Sequence, residues 1–370
     1  MAYKVPFVNY PEQYRKMKTE LDAAFEEIMS GGDFILREHV RKFEGNIASL
    51  LGVKYAIGLN SGTDALYLSL LAAGIGPGDE IITVAHTFLA TVGAIVNCGA
   101  RPILLDVGKD ENMDIDQVEP LITKQTRAII PVHLNGRVCD MEKLMTIANK
   151  YNLLVIEDAA QSLGAKFNGK MAGSFGLTAC FSFYPAKVLG TAGDGGMLVT
   201  DDEELAGKVR ALRDNGRVIG QDEVVGYGFN SRLDNLHAAM LDVKLKYLPG
   251  WIEKRRKLAA LYHEGLSRLE QIKLSPPPVT DGKFYDVFQN YVIKSSQRDK
   301  LAAYLKDNGI ETLISWPIPM HHQKALGLSH FRLPETEKLS KEVLSLPMYA
   351  ELREEQADYV VKAVCNFCAD

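Results

Sequence analysis

Short apolar runs alternate with amphipathic stretches between residues 50 and 200. The amphipathic stretches at residues 63–73 and 140–149, and another that begins near Phe88, have apolar positions at the spacing of a helix. The apolar runs are typical of buried parallel strands and occur at residues 54–59, 80–84, 102–106, 128–132 and 153–156. This alternation predicts an α/β fold in which helices cover both faces of a mainly parallel sheet.

A different pattern begins near residue 175. Residues 179–183 and 196–200 predict two strands, and residues 202–213 predict a helix. The glycine-rich segment before the second strand, Gly193-Asp194-Gly195-Gly196, lacks the Lys-Ser/Thr pair of a P-loop. We therefore predict a tight turn there and not a nucleotide-binding loop.

The last third of the chain predicts a second unit. Residues 233–269 are strongly helical apart from Pro249-Gly250, which we interpret as a hinge between domains. A strand at residues 286–293 and a helix at residues 298–308 follow a proline-rich connector. We predict a large domain with an N-terminal helical segment over residues 1–249 and a smaller α/β domain over residues 250–370.

Composition narrows the class of protein. The 370 residues carry a formal net charge of −5, which argues against non-specific binding to nucleic acid. The N-terminus lacks the apolar core of a signal peptide, and the apolar stretch at residues 88–98 is too short to span a bilayer. We therefore expect a cytoplasmic protein that binds neither nucleic acid nor membranes.

Cysteine and histidine residues do not predict a disulfide framework or a metal site. The five cysteines are scattered, and the pair Cys365 and Cys368 has no second ligand pair nearby. Adjacent histidines such as His321-His322 rarely bind one ion, and we find no carboxylate or cysteine near them in the sequence. We predict no metal.

Lys187 and Asp158 are the strongest candidates for chemistry. Lys187 follows an aromatic strand and a proline, where burial would lower the pKa of the amine and favour its neutral, imine-forming state. Asp158 ends an apolar strand, and a carboxylate there can keep a pyridine nitrogen protonated. The alternatives are a solvated lysine and a helix-capping or turn aspartate, with Gln161 as its capping partner.

Two further segments complete a possible cofactor site. Ser61-Gly62-Thr63 precedes a helix, whose first N–H groups and dipole favour a phosphate, although ordinary capping would give the same pattern. Phe88 follows the second strand and is either a core residue or a stacking partner for an aromatic ring. Together with Lys187 and Asp158, these segments supply the groups needed to bind pyridoxal phosphate.

A series of short blocks carries a family resemblance. In these blocks the chain resembles the DegT/DnrJ/EryC1 family of sugar aminotransferases, which belongs to the aspartate aminotransferase superfamily of fold type I. The resemblance covers nearly the whole chain. The blocks are Gly32-Asp33-Phe34-Ile35, Phe43-Glu44, Ser61-Gly62-Thr63-Asp64-Ala65-Leu66, Thr87-Phe88-Leu89-Ala90-Thr91, Pro131-Val132-His133-Leu134, Glu157-Asp158-Ala159-Ala160-Gln161, Gly173-Ser174-Phe175-Gly176, Ser182-Phe183-Tyr184-Pro185-Ala186-Lys187 and Gly228-Phe229-Asn230-Ser231-Arg232-Leu233-Asp234.

The resemblance implies a fold and a set of residue roles. It implies a large domain with a mainly parallel seven-stranded sheet and a smaller C-terminal α/β domain. It implies that Lys187 binds the cofactor and moves protons, and that Asp158 pairs with the pyridine nitrogen. The remaining implied contacts are Gln161 on the hydroxyl side of the ring, Phe88 stacked on it, Gly62, Thr63 and Ser182 on the phosphate, Asn230 on the phosphate of the neighbouring subunit in a homodimer, and Tyr184 and His321 on the substrate.

The implied reaction transfers an amino group from L-glutamate to a keto group on a nucleotide-linked deoxy sugar, with dTDP or UDP as the nucleotide. Tyr184, where many members acting at C4 have histidine, favours a 3-keto sugar. A C4-keto enzyme of the perosamine type is the alternative. A sugar dehydratase of this fold would have histidine in place of Lys187, and a non-catalytic regulatory protein would be expected to lack Lys187 or Asp158. A plain nucleotide-binding domain would contain no cofactor.

Overall fold

The computed structural model describes residues 3–218, 220, 222–279 and 282–369. No helix in these ranges is both long and apolar enough to cross a membrane. The α-helices are α1 (Tyr10–Gly31), α2 (Glu38–Leu51), α3 (Gly62–Ala72), α4 (Leu89–Asn97), α5 (Met141–Tyr151), α6 (Glu203–Leu212), α7 (Asn235–Leu245), α8 (Leu248–Leu266), α9 (Arg298–Asp307), α10 (Pro334–Glu342) and α11 (Glu354–Ala369). Short 3-10 helices occur at Ile115–Gln117, Glu119–Leu121, Leu134–Gly136, Met320–His322 and Lys324–Leu326.

The strands form one large sheet and two small ones. The large sheet has seven strands in the order β1-β9-β8-β5-β4-β2-β3, and each small sheet has three. The strands are β1 (Tyr55–Leu59), β2 (Glu80–Val84), β3 (Arg101–Leu105), β4 (Thr126–Ile129), β5 (Leu154–Asp158), β6 (Lys166–Phe167), β7 (Lys170–Met171), β8 (Thr178–Ser182), β9 (Gly196–Thr200), β10 (Lys273–Leu274), β11 (Phe284–Tyr285), β12 (Tyr291–Lys294) and β13 (Val343–Leu346).

The large sheet is mainly parallel, as the sequence predicted. The pairs β2–β3, β2–β4, β4–β5 and β5–β8 are parallel, and β9 runs antiparallel to both of its neighbours, β8 and β1. Alternate residues of β9 enter different apolar clusters, with Met197 and Val199 in one and Leu198 in the other. The sheet is therefore buried on both faces, which explains the unbroken apolar runs in its strands.

A separate apolar cluster lies in the C-terminal third of the chain. It contains buried residues of α9, α11, β12 and β13, and it includes Val5 from the N-terminus, which forms a bridge with Ile310. Helix α8 contributes to two clusters, since Trp251 packs in the main one and Tyr262 in the C-terminal one. The proposed boundary near residue 250 stays a prediction.

Three local predictions differ from the structure. Pro249 and Gly250 lie in the first turn of α8, and the helix break precedes them at Lys246 and Tyr247. This first turn tolerates proline because its N–H groups have no partner within the helix. Only the end of residues 286–293 is a strand, because β12 begins at Tyr291 and residues 286–290 form the turn that joins it to β11. The tight turn is part of a longer connection over residues 183–195, which joins β8 to β9.

The buried pair of Glu44 and Arg213 offers a test of this packing. Glu44 on α2 accepts hydrogen bonds from Gly58 N (2.8 Å) and Arg213 Nη1 (2.5 Å), and Arg213 also donates to the Gly58 carbonyl (2.9 Å). Glu44→Ala would leave the guanidinium buried and unpaired, so we expect the free energy of unfolding to fall by about 3–5 kcal/mol in urea denaturation. Glu204→Ala, which removes an exposed pair with Lys208, is the control and should change little. Equal changes in the free energy of unfolding for the two variants would contradict a stabilising role of the buried pair.

Candidate active site

One cavity opens where the parallel strands end. Its volume is about 650 Å³. Ligands bind at this edge in open α/β sheets because the loops that follow the strands diverge there. The lining residues used below are Gly62, Thr63, Phe88, Asp158, Gln161, Ser182, Tyr184, Lys187, Gln289, Asn290 and Trp316.

Lys187 lies in the connection after β8, where its backbone N–H donates to the Tyr184 carbonyl (2.9 Å). Burial lowers the pKa of the Lys187 amine to about 8, although the nearby charge of Asp158 acts in the opposite direction. At pH 7 about one amine in ten is then neutral, compared with fewer than about one in a thousand for an ordinary lysine. The site therefore increases the fraction of Lys187 in the neutral form, which can attack a carbonyl group or accept a proton.

Asp158 is the last residue of β5 and lies on the cavity wall. Its Oδ2 accepts a hydrogen bond from Thr91 Oγ1 (2.7 Å) and its Oδ1 accepts one from Ala160 N (3.2 Å). Burial raises the pKa of this carboxyl, although both hydrogen bonds and Lys187 act against the rise. No helix begins at Ala159, so the helix-capping alternative is wrong. A cationic ring nitrogen in the cavity would supply the charge that favours ionised Asp158.

The start of α3 forms a close-fitting cradle. Ser61 caps this helix by accepting from Asp64 N (3.0 Å), and the N–H groups of Gly62 and Thr63 have no acceptor within the helix. A Cβ on Gly62 would lie 2.9 Å from Ser182 Cβ, so only glycine allows this approach. Gly196 is pressed against the Ser61 backbone in the same way. Backbone donors, the helix dipole and the Ser182 hydroxyl together fit a phosphate dianion.

Aromatic side chains are exposed on the cavity wall. Phe88 is 63% exposed and Tyr184 is 54% exposed, although both line the cavity. Phe88 is therefore not a core residue, and a planar ring could cover it. Gln161 Oε1 accepts a hydrogen bond from Asn135 N (2.7 Å), which holds the side chain at the cavity. These side chains, with the cradle, Asp158 and Lys187, fit pyridoxal phosphate.

Two of the predicted site residues lie elsewhere. Among the described residues that line the cavity, neither Asn230 nor His321 occurs. Asn230 is exposed on the surface of the subunit, whereas the His321 side chain is fully buried. A contact of Asn230 with a neighbouring subunit and a contact of His321 with substrate both stay predictions.

His321 and His322 do have a carboxylate beside them, contrary to the sequence interpretation. Oε1 of Glu337 lies 3.3 Å from Nε2 of His321 and 3.5 Å from Nε2 of His322. Glu337 is on α10, and the intervening chain folds back to bring it near the 3-10 helix that contains both histidines. No pattern in the sequence indicates this contact, because it depends on how the segment between the histidines and Glu337 folds.

Several supporting residues were not singled out from the sequence. Thr91, in the first turn of α4, donates to Asp158, and its hydroxyl lies 2.8 Å from the hydroxyl of Thr87, which precedes the helix. His133 accepts from Cys139 N at Nδ1 (3.2 Å), so its Nε2–H donates to Glu157 (2.9 Å). All but Cys139 lie in blocks of the family pattern, which was the available signal.

Glu157 connects β5 to the loop before β8. Its carboxylate accepts from His133 and from the backbone N–H groups of Gly173, Phe175 and Gly176. Burial alone would raise the pKa of this carboxyl, but the hydrogen bond from His133 and those from the backbone lower it overall. An ionised Glu157 therefore fixes the strand on which the neighbouring Asp158 lies.

The fold and the cavity define a fold type I aminotransferase, with a lysine, an aspartate and a helix N-terminus around one site. The chain belongs to the DegT/DnrJ/EryC1/StrS aminotransferase family, whose model matches residues 15–365. Members of this family are sugar aminotransferases that depend on pyridoxal phosphate, and the protein is an enzyme of this class.

Curated relatives match almost the full chain. A "pleiotropic regulatory protein" of Geobacillus stearothermophilus is 46% identical, with 98% of each chain covered. UDP-N-acetyl-3-dehydro-α-D-glucosamine 3-aminotransferase of Acidithiobacillus ferrooxidans is 42% identical, with 95% of each chain covered. The relatives thus include a named sugar aminotransferase and a protein named for regulation.

Solved structures agree with the fold. DesV of S. venezuelae, in complex with a ketimine intermediate, superposes with a TM-score of 0.95 at 37% identity and full coverage of both chains. NtdA of Bacillus subtilis, with bound cofactor PMP, has a TM-score of 0.92 at 32% identity, covering 100% of this chain and 86% of the other. The fold with its seven-stranded sheet is therefore that of known aminotransferases.

The lowered pKa of Lys187 predicts how covalent binding of the cofactor depends on pH. The cofactor-free protein should bind pyridoxal phosphate covalently at Lys187 faster as the pH rises, with a midpoint near 8, because only the neutral amine attacks the aldehyde. Borohydride trapping followed by peptide mass mapping would measure this rate between about pH 6 and 10.

Lys244 is a matched internal control. Burial also lowers the pKa of Lys244 to about 8, but its Nζ donates to the Gly190 carbonyl (2.6 Å) and it does not line the cavity. We expect no trapped cofactor on Lys244. A capture rate at Lys187 that does not change across this pH range would contradict the assignment.

Proposed function

We propose that this enzyme transfers the amino group of L-glutamate to a keto group of a dTDP- or UDP-linked deoxy sugar, with a preference for a 3-keto sugar. The observation that carries the proposal is the convergence of Lys187, Asp158 and the N-terminus of α3 on one cavity. The 42% identical relative named as a 3-aminotransferase supports the sugar class and the position of the keto group.

Bound pyridoxal phosphate would supply an aldehyde that carries the amino group between the substrates and a ring that takes up electrons. The phosphate would lie on the N–H groups of Gly62 and Thr63 and on the Ser182 hydroxyl. Asp158 would keep a positive charge on the ring nitrogen, held in place by Thr91 and Ala160. These contacts would orient the cofactor before either substrate binds.

Lys187 would move the protons. Its neutral amine would take the proton from the α-carbon of glutamate and deliver it to the carbon that was the aldehyde of the cofactor. Water would then release glutamate as 2-oxoglutarate, and the amino group would stay on the cofactor. The same lysine moves a proton in the opposite direction when the keto sugar binds, and the product is an amino sugar. One amino group is lost by glutamate and gained by the sugar, so the reaction is balanced and should be ping-pong.

The position of the keto group is the main open alternative. GDP-perosamine synthase of Caulobacter vibrioides is 38% identical, with 91% of each chain covered, so a 4-keto substrate is the second candidate. Tyr184, exposed on the cavity wall, is the residue on which the preference for a 3-keto sugar rests. A purely regulatory role is disfavoured, because Lys187 and Asp158 are both present.

Absorbance spectroscopy tests the proposed reaction. The band of the cofactor-loaded enzyme should shift when L-glutamate is added, and a 3-keto nucleotide sugar should restore it faster than a 4-keto one. Lys187→Ala should show no shift on this time scale, because the proton carrier is missing. If wild-type enzyme loaded with cofactor gave no shift with L-glutamate, the proposed donor would be wrong.

A homodimer would complete the site. Asn230 is exposed, and the neighbouring Val224, Val225 and Tyr227 expose most of their apolar surface. Contiguous apolar surface of this kind is typical of an interface between proteins. We propose that this segment packs on a second copy, where Asn230 contacts the phosphate in the neighbouring site.

Mixed dimers test this arrangement. Asn230→Ala and Lys187→Ala should each lower activity on their own, by at least about 10-fold for Asn230 because a phosphate contact is lost. Co-expression of the two variants should restore activity, since each mixed dimer has one site with both residues intact. The activity restored by co-expression of Asp222→Ala with Lys187→Ala is the reference value, because we assign Asp222 no role. If mixing Asn230→Ala with Lys187→Ala restored nothing, Asn230 would act within its own subunit.

A further inference from the structure

The side chain of Gln289 holds the backbone on both sides of Lys187. Gln289 lies between β11 and β12 and is 7% exposed. Its Oε1 accepts a hydrogen bond from Val188 N (2.8 Å), and its Nε2 donates to the Ala186 carbonyl (2.8 Å). The two partners fix the orientation of the amide, because one can only donate and the other can only accept.

We propose that Gln289 is a positioning residue that holds Lys187 in the geometry needed for proton transfer. It acts through the peptide groups that flank Lys187 and needs no contact with the reacting atoms. This inference rests on the proposed function, because Lys187 must be the group that moves the proton.

The turn that presents Gln289 is held in an unusual conformation. Phe288 has a φ of +50°, a value that residues other than glycine rarely adopt. A Cβ on Gly136 would lie 2.8 Å from Gln289 N, so the two segments approach as closely as glycine allows. Val287 N also donates to the Gly136 carbonyl (2.9 Å). Strained backbone that is held so firmly is common where a side chain must be aimed accurately.

Arg255 fixes the same turn from α8. Its Nη1 donates to the carbonyls of Phe288 (3.0 Å), Gln289 (3.2 Å) and Met348 (2.9 Å). Arg255 is 6% exposed, and burial lowers its pKa to about 10, against the charge of Glu351. The guanidinium therefore stays charged at neutral pH and makes strong hydrogen bonds to these carbonyls.

The next residue extends the connection to a second part of the site. Asn290 Nδ2 donates to Asn135 Oδ1 (3.1 Å), and Asn135 N donates to Gln161 Oε1 (2.7 Å). One turn thus supports both Lys187, which would move the proton, and Gln161, which would contact the ring. A small displacement of this turn would move both groups relative to a bound ring.

Loss of the two Gln289 hydrogen bonds should therefore impair the chemical step more than substrate binding. Gln289→Met has nearly the same length and volume and lacks both the donor and the acceptor. We expect kcat per cofactor-loaded site to fall about 10–100-fold, with KM for L-glutamate changed less than about 3-fold, since misplacement of a reacting group acts on the transition state. Gln289→Asn keeps the amide but is one carbon shorter, so it cannot reach both partners at once and should lose less.

The control removes a buried hydrogen bond of the same kind away from the site. Tyr262 is fully buried in the C-terminal cluster, and its hydroxyl donates to the Pro347 carbonyl (2.9 Å). Tyr262→Phe should lower the melting temperature without changing kcat. A merely structural role for Gln289 would make the two variants alike in kcat when each is compared at equal amounts of folded protein.

A second readout needs no substrate. The midpoint of pyridoxal phosphate capture at Lys187 should stay near 8 in Tyr262→Phe and rise in Gln289→Met and Gln289→Asn, because a loosened segment admits water around the amine. Capture by Gln289→Met with the wild-type rate and midpoint, together with unchanged kcat, would overturn the role of Gln289. If Gln289→Met does not fold, Gln289→Asn decides by the same two readouts. Wild-type protein that captures no pyridoxal phosphate would instead overturn the proposed function and this inference with it.

Discussion

The parallel pairing of β5 and β8 is the constraint on which the site depends. The register sets Asp158 opposite Cys180, and Ala159 N donates to the Cys180 carbonyl (2.9 Å). Asp158 and the segment that bears Lys187 therefore leave the sheet at the same edge. Because the side chains of these strands pack in a different cluster on each face, a shift of one residue would move every side chain to the opposite face and disrupt both, so the register is strongly fixed. Residues at this edge are therefore held in place by the rigid sheet.

Burial gives the site its electrostatic character. A buried amine and a buried carboxyl each resist charge, so the pKa of Lys187 falls and that of Asp158 rises when no cation lies between them. A cationic ring would reverse the second effect, since it supplies the partner that Asp158 lacks. The supporting hydrogen bonds from Thr91, and those that keep Glu157 ionised, prevent the carboxylate from turning away.

The turn before β12 links the C-terminal part of the chain to this edge of the sheet. It carries Gln289 and Asn290, and it is held by Arg255 from a helix that packs in two apolar clusters. The backbone beside Lys187 is thus held by a residue about a hundred positions away in the chain. The same arrangement connects the conformation of this turn to function, because a displacement of the turn would move the backbone beside Lys187.

The sequence by itself determined the parts of this protein that depend on short-range pattern. Apolar runs and helical spacing located the strands and helices of the sheet, strand ends located Asp158 and Lys187, and Ser61 marked the start of α3. Tertiary structure alone decided the contacts between distant segments: Gln289 around Lys187, Glu337 beside His321, and the break before α8. A periodic pattern records which face of an element is buried, but it does not record which distant polar group meets it. Contacts between distant polar groups depend on strand register and packing, which involve the whole chain at once.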